Sequence, residues 1–167
     1  EKIQYSKAIE KTNEILKNNN LIWIISPSLS TEEMWMVKKV AKRNNSSLVV
    51  ATDEYQDTNF GDDFLKSNEL AMNFWGAKLL ELPVQTKNKK ELLGNFDGAV
   101  FVGVKKVDSW LETAYENNVF SILIDAFEPS HTNNIKSMLP IASHSEREGT
   151  FINKDGYLQK IKEKISR

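Results

Sequence analysis

The chain has 167 residues and a formal charge of −1, and its 40% hydrophobic and 27% charged content is typical of one globular domain. The balanced charge gives no electrostatic reason to expect nucleic acid as a partner. Cysteine is absent, which excludes disulfides, thiolate nucleophiles and cysteine-ligated zinc or iron–sulfur centres within the chain. The longest apolar run, 21–25, is too short to cross a bilayer, so we expect no direct membrane insertion. The chain opens at Glu1 without an initiator Met, and we expect a fragment of a larger subunit.

Residues 1–125 alternate between helical periodicity and short apolar runs. Ser30 and Glu33 form a capping-box pattern that predicts the start of the second helix, which ends at Asn44. The helices are predicted over 5–16, 31–43, 64–76, 87–93 and 107–114, with Gly76 closing the third. The strands are predicted at 21–25, 47–51, 77–82, 99–102 and 119–124. Apolar runs without polar alternation are typical of strands buried on both faces.

Residues 126–149 show no clear period, whereas 150–153 and 157–159 flank a Lys-Asp-Gly turn and predict a short hairpin. The basic tail, 160–167, is predicted to be helical or frayed. The fold class is therefore α/β: a three-layer, open parallel sheet of four to five strands with helices on both faces, Rossmann-like. We expect one domain, 1–167, with an alternating core over 1–125 and a loop, hairpin and tail over 126–167.

Ligands of open α/β sheets bind beyond the carboxyl ends of the strands. The first such turn, 26–30, has no glycine to admit a pyrophosphate, and the chain has no P-loop. Asp53 stands where a ribose-binding acid would belong, but without those glycines it is more simply a solvated loop acid. Ser26, Ser28 and Ser30 lack a Gly-x-Ser-x-Gly elbow, so a turn and a helix cap explain them better than a nucleophile.

Neither histidine lies in a strong catalytic or metal pattern. His131, beside Thr132 and downstream of Asp125, is conceivable as a catalytic base, but a surface or capping role is simpler. His144 with Glu146 and Glu148 has no established ligand spacing. We expect no catalytic residue and no metal ligand in this chain.

Aromatic and basic side chains on the second helix suggest surface roles. Trp35 stands one position off the apolar face of its helix and could contact another chain or domain. The cluster Lys38-Lys39-Lys42-Arg43 is most simply the solvated face of that helix.

The least periodic segment carries the most specific motif. Its elements are Leu139-Pro140, Glu146, Glu148-Gly149-Thr150, Phe151, Asn153, Asp155-Gly156 and Gln159. This run resembles a signature of the molybdopterin oxidoreductase superfamily, approached by Asp125-Ala126-Phe127 and Thr132. The strand, Ser-rich turn and Thr-Glu-Glu helix of 21–43 are most similar to the carboxyl-terminal region of the large iron–sulfur subunit of NADH:quinone oxidoreductase, complex I.

The resemblance implies a structural domain of that large subunit, with no cofactor bound by the fragment and no catalysis of its own. Iron–sulfur clusters would lie elsewhere in the parent subunit, in agreement with the missing cysteines. Its partners would be other subunits or domains of a membrane-associated respiratory complex, and its place would be cytoplasmic, peripheral to the inner membrane.

The motif departs from the superfamily pattern at one position. Tyr157 stands where the family has Arg, so a cation suited to cofactor phosphates is missing. The alternative implied by the resemblance is the cofactor-cleft domain of an active, formate dehydrogenase-like enzyme, with Glu148, Thr150, Asn153 and Gln159 approaching molybdopterin. A third interpretation is a flavodoxin-like module that binds a small anion at the 26–30 or 52–53 turns.

Overall fold

The computed structural model describes residues 4–52 and 71–162 of the chain. Within these residues, the central sheet has five parallel strands. They are β1 (Leu21–Ile25), β2 (Ser47–Val50), β3 (Gly98–Val102), β4 (Phe120–Asp125) and β5 (Ile135–Pro140), in the order β2-β1-β3-β4-β5. The helices are α1 (Tyr5–Asn18), α2 (Thr31–Arg43), α3 (Phe74–Leu79), α4 (Lys89–Leu93) and α5 (Val107–Glu116). A separate antiparallel ribbon joins β6 (Gly149–Ile152) to β7 (Leu158–Ile161).

Side chains of the strands alternate between two apolar cores, one on each face of the sheet. Leu21, Trp23 and Ile25 pack with Leu16 of α1 and Met34 of α2. The intervening Ile22 and Ile24 pack on the other face, in a core with residues of α4 and α5. Because helices cover both faces, the strands need no polar alternation, and the predicted three-layer, Rossmann-like fold is confirmed.

The predicted strand at 77–82 is wrong, and Gly76 lies inside α3 instead of ending it. The backbone continues helically past Gly76, because the Leu80 N–H donates to the Gly76 carbonyl oxygen at 3.0 Å. Ala77 and Leu82 are both buried, so an apolar stretch that covers the sheet resembles an apolar strand within it. The earlier part of the predicted helix, 64–70, lies outside the described residues.

The remaining strand of the sheet is β5 instead of the predicted segment 77–82. It lies within 126–149, the segment that shows no sequence period. It is the outer neighbour of β4, and its side chains are only partly buried. Lys136 and Pro140 interrupt its apolar pattern, which is typical of an edge strand. Helix α1 packs on β5, and the hydroxyls of Thr12 and Ser137 lie 2.6 Å apart. Four to five strands were predicted, and the central sheet has five within the described residues, but one of the predicted segments is different.

The predicted hairpin is confirmed as the β6–β7 ribbon. Its turn is held by the side-chain oxygen of Asn153, which accepts from the N–H groups of Asp155 and Tyr157 at 3.1 and 2.9 Å. Lys160 and Ile161 belong to β7, so the predicted helical tail is wrong at these two positions. Residues 163–167 lie outside the described residues.

Candidate functional site at the carboxyl edge of the sheet

The strand order places a topological switch point between β1 and β3. After β1 the chain winds to β2 on one side, and from β3 onward it winds to the other. This is the flavodoxin-type order of doubly wound sheets, in which ligands bind beyond the carboxyl ends of the strands at the switch. The candidate site therefore comprises two neighbouring mouths, one above β1 and one above β3 and β4.

The β1 mouth is built on the start of α2. The Ser30 N–H donates to Glu33 Oε2 at 2.7 Å, and the Glu33 N–H donates to Ser30 Oγ at 3.1 Å. This reciprocal capping box confirms the interpretation of Ser30 as a helix cap. Ser26 holds the preceding turn, since its hydroxyl accepts from the Ser28 N–H at 3.0 Å. Both N–H groups of the capping box are therefore satisfied by the protein itself.

Arg147 lies over this mouth and fills it with its guanidinium. Nη1 donates to both carboxylate oxygens of Glu33 at 3.0 Å, and Nη2 donates to the Ser28 carbonyl oxygen at 3.3 Å. Arg147 is largely buried, whereas Glu33 is about one-third exposed, so the pair is only partly shielded from water. The cation that a ligand phosphate would seek at this turn is neutralised within the chain.

Strand β6 continues the closure directly after Arg147. A Cβ atom at Gly149 would lie 2.4 Å from the Cβ of Ser30, so only glycine permits this close approach. The Thr150 N–H then donates to Glu32 Oε2 at 2.9 Å. Burial opposes ionisation of Glu32, but hydrogen bonds from Thr150, from the backbone of Glu32 itself and from Ser30 together outweigh it and lower the pKa of Glu32.

Asn73 ties the two parts of this closure together and is fully buried, with 0% exposure. Its Nδ2 donates to the Leu29 carbonyl oxygen at 2.8 Å and to Thr31 Oγ1 at 3.2 Å. Its Oδ1 accepts from the Ile152 N–H at 2.8 Å. The sequence analysis did not single out Asn73. Its position just before a helix would suggest a cap, but its side chain makes no cap hydrogen bond and reaches β6.

The second mouth is open and forms a cavity of about 410 Å³ above β3 and β4. Lys105 and Lys106 line one side, where the chain enters α5, and Arg147 and His144 line another. Asp125 closes the floor at the end of β4. Burial raises the pKa of Asp125, although backbone hydrogen bonds and the charge of Arg147 oppose that rise. The cavity therefore combines cations with a carboxyl group whose ionisation is disfavoured.

The four residues considered for a pterin, Glu148, Thr150, Asn153 and Gln159, do not form one cluster. Thr150 lies opposite Lys160 in the ribbon and Gln159 opposite Phe151, so Thr150 and Gln159 point to opposite faces. Asn153 is occupied by its own turn, and Glu148 is exposed. These residues do not fit a shared cofactor contact.

Each histidine has an identified contact within the described residues. His131 Nε2 lies 2.8 Å from Glu112 Oε1 on the surface, and its backbone N–H donates to Asp108. His144 packs edge-on against Phe151, with ring centroids 5.8 Å apart. Among the described residues, no group of three or more histidine and acidic side chains is arranged to hold a metal ion. Asp53, the ribose-binding alternative, lies outside the described residues.

The four tryptophans divide evenly between core and surface. Trp23 and Trp110 are buried, whereas Trp35 is 44% and Trp75 is 38% exposed. The prediction that Trp35 stands off the apolar face of α2 is confirmed. The basic cluster on α2 is less uniform than predicted, because Lys38 Nζ donates to the Leu80 carbonyl oxygen at 2.6 Å.

Within the described ranges, no helix is both long enough and apolar enough to cross a bilayer. No protein-family model and no curated protein matches the chain. Among solved structures it is similar to Sir2Af2 bound to a myristoylated histone peptide, with 10% identity and a TM-score of 0.46 over 81% of this chain and 91% of that one. It is also similar to homoserine dehydrogenase of S. aureus, with 15% identity and a TM-score of 0.35 over 65% of this chain and 26% of that one. Neither likeness carries information about the activity of this chain.

Proposed function

We propose that this chain is a structural domain of the large iron–sulfur subunit of an NADH:quinone oxidoreductase, with no chemistry of its own. The observation that carries this proposal is the closure of the β1 mouth by the chain's own residues. Arg147 satisfies Glu33, and Gly149 approaches Ser30 too closely to leave space for a ligand. A ligand site that is closed by the chain's own residues is consistent with a domain that retains a ligand-binding fold but functions through contacts at its surface.

The residues that close the mouth belong to the motif on which the family resemblance rests. Gly149 and Thr150 of the Glu-Gly-Thr element contact the first turn of α2, and Asn153 shapes the hairpin turn. In this chain the motif therefore has a folding role, which favours a subunit that keeps the superfamily fold without its pterin. Iron–sulfur clusters, the electron path and the NADH site would belong to other parts of the complex, and the domain would lie in its cytoplasmic, peripheral arm.

Affinity isolation of the tagged chain from solubilised membranes of its source organism, with mass spectrometry, tests the proposal. We expect subunits of a quinone-linked respiratory complex to accompany the chain, and to be absent when the same isolation is made from an untagged strain. We also expect no stoichiometric flavin, iron, molybdenum or pterin in the purified domain. Recovery of the chain alone, or of partners of a molybdenum enzyme, would overturn the proposal.

One observation favours a second candidate, the cofactor-cleft domain of an active molybdopterin oxidoreductase. The open mouth is lined by Lys105 and Lys106, and such cations suit the phosphates of a pterin nucleotide. Against it, the residues expected at the pterin do not converge on one place. Stoichiometric pterin fluorescence from the purified chain would favour this candidate.

A further inference from the structure

Large apolar side chains are exposed on α2 and α3, two helices that contact each other. These side chains are Trp35 and Met36 of α2 and Trp75 and Leu79 of α3, which we call the α2–α3 patch. Met36 and Leu79 are 54% and 67% exposed. Such side chains are normal singly, but four on two contacting helices are typical of an interaction surface.

The surface beside α2 forms a shallow, open groove of about 520 Å³. Trp35, Met36 and Leu80 are its large apolar lining residues, and Thr150 of β6 also lines it. The Lys38 ammonium fixes Leu80 against α2 through its 2.6 Å hydrogen bond. A groove between packed elements accepts side chains of an amphipathic helix better than a flat surface does.

Cations surround the apolar walls. Lys39 Nζ lies 3.7 Å from the ring centroid of Trp35, and Lys78 Nζ lies 4.2 Å from that of Trp75. Lys42 and Arg43 extend the same positive charge along the exposed end of α2. Glu32 is the acidic side chain that lines the groove itself. Glu81, next to Leu80, is a second exposed acid. Among the described residues the rim is therefore positive on balance, with four cations against two acids, and complementary charge at the rim sets partner choice.

We infer that the α2–α3 patch binds an acidic amphipathic helix of another chain or domain. A second copy of this chain is disfavoured, because a two-fold contact would bring the cations of each patch against the same cations of its partner. This inference rests on the proposed structural role, since it names the surface through which the domain would be held. It is tested separately, because it concerns the chain and a peptide, not the complex.

The test is fluorescence anisotropy of two labelled peptides of about 18 residues, or five helical turns. Both carry leucines along one face, and their other positions are Glu and Gln in one peptide and Lys and Gln in the other. We expect the acidic peptide to bind the 167-residue chain at least about tenfold more tightly than the basic one, and less tightly as salt is raised. Met36→Asp should weaken acidic-peptide binding about tenfold, whereas Tyr115→Ser, an exposed aromatic on α5, should leave it unchanged.

The double variant Lys39→Glu/Lys78→Glu should reverse the preference, so that the basic peptide binds more tightly than the acidic one. Equal binding of both peptides, no binding at about 1 mM, or an equal effect of Tyr115→Ser would overturn the inference. Self-association that Met36→Asp abolishes would also overturn the inference, because a second copy would then be the occupant. Binding to phosphatidylserine vesicles that the double variant abolishes would overturn it too, because the occupant would then be a membrane. Membrane-complex partners recovered without peptide binding would leave the structural role standing and remove only this surface.

Discussion

The two mouths of the sheet lie side by side and differ in what fills them. Above β1, Arg147 and β6 close the turn, and the polar groups of the α2 start are paired within the chain. Above β3 and β4, the comparable space is open, with a cavity of about 410 Å³. Strand order predicts the place of both mouths but neither their occupancy nor their charge. The fold thus provides potential ligand sites at the carboxyl ends of the strands, and loop side chains determine which of these sites are open to a ligand.

The largest effect should come from Asn73, the residue that ties β6 to the turn before α2. Asn73→Ala leaves the buried Ile152 N–H and Leu29 carbonyl without their partner, and we expect the free energy of unfolding to fall by about 3 kcal/mol. Urea unfolding followed by circular dichroism measures the change, with the exposed Asn133→Ala as its control. A loss below about 1 kcal/mol would mean that Asn73 does not hold the closed mouth.

A smaller effect should follow from adding one methyl group at the closest approach. Gly149→Ala places a Cβ against Ser30, so we expect a loss of about 2 kcal/mol in the free energy of unfolding. In a Ser30→Gly background the same change should cost less, because the opposing Cβ is gone. Equal losses in the two backgrounds, measured by urea unfolding, would show that β6 and α2 are not in this contact.

Removing the guanidinium should cost somewhat less, because its partner Glu33 is partly exposed. Arg147→Met should lower the free energy of unfolding by about 1.5 kcal/mol, whereas Arg43→Met at the exposed end of α2 should be nearly neutral. A double-mutant cycle with Glu33→Gln measures the coupling directly. If the losses in the free energy of unfolding simply add, Arg147 and Glu33 are not coupled and Arg147 does not hold α2. The contrast between a closed and an open mouth would then be wrong.

The smallest effect is a difference in pH dependence between the mouths. The raised pKa of Asp125 means that its contribution to the free energy of unfolding is full below the unfolded pKa and is lost as pH rises through the folded pKa. The free energy of unfolding of Asp125→Asn should therefore increase relative to that of the wild type between acid and neutral pH. The lowered pKa of Glu32 gives the opposite sign, since its contribution is present above the unfolded pKa and is lost as pH falls. We expect the Asp125 change to stay below about 1 kcal/mol because solvent screens the site. Thermal unfolding from acid to neutral pH checks both signs, and a Glu32→Gln profile that parallels Asp125→Asn would contradict the assignment.

Local patterns predicted the parts of the fold that local interactions determine. The capping box at Ser30 and Glu33 spans one helical turn, and the apolar run at β1 is an inner strand with a neighbour on each side, so both predictions are correct. Strand β5 has no such pattern, because an edge strand is covered on fewer sides and tolerates Lys136 and Pro140. Segment 77–82 misled the prediction because its buried residues face the sheet from a helix and a turn.

The candidate site depended even more on distant contacts. The position of the mouths follows from strand order, but the pairing of Arg147 with Glu33 joins residues 114 apart in sequence. Asn73 acts on β6 across 79 residues, and nothing in its neighbourhood distinguishes it from other asparagines. Sequence periodicity reports burial and local capping, whereas these contacts exist only after the sheet has assembled.

The hydrogen bond between Thr12 and Ser137 links α1 to the outermost strand over 125 residues of chain. Because β5 pairs with β4 on one side only and rests on α1, neither α1 nor β5 retains its full set of contacts when the other detaches. The two should therefore open together, as one cooperative unit in native-state hydrogen exchange. A contact of such long range also forms late, after much of the entropy of loop closure has been lost. The β5 edge of this sheet, with α1, should thus be the last part of the domain to protect its amides from exchange during folding and the first to exchange them in the folded state.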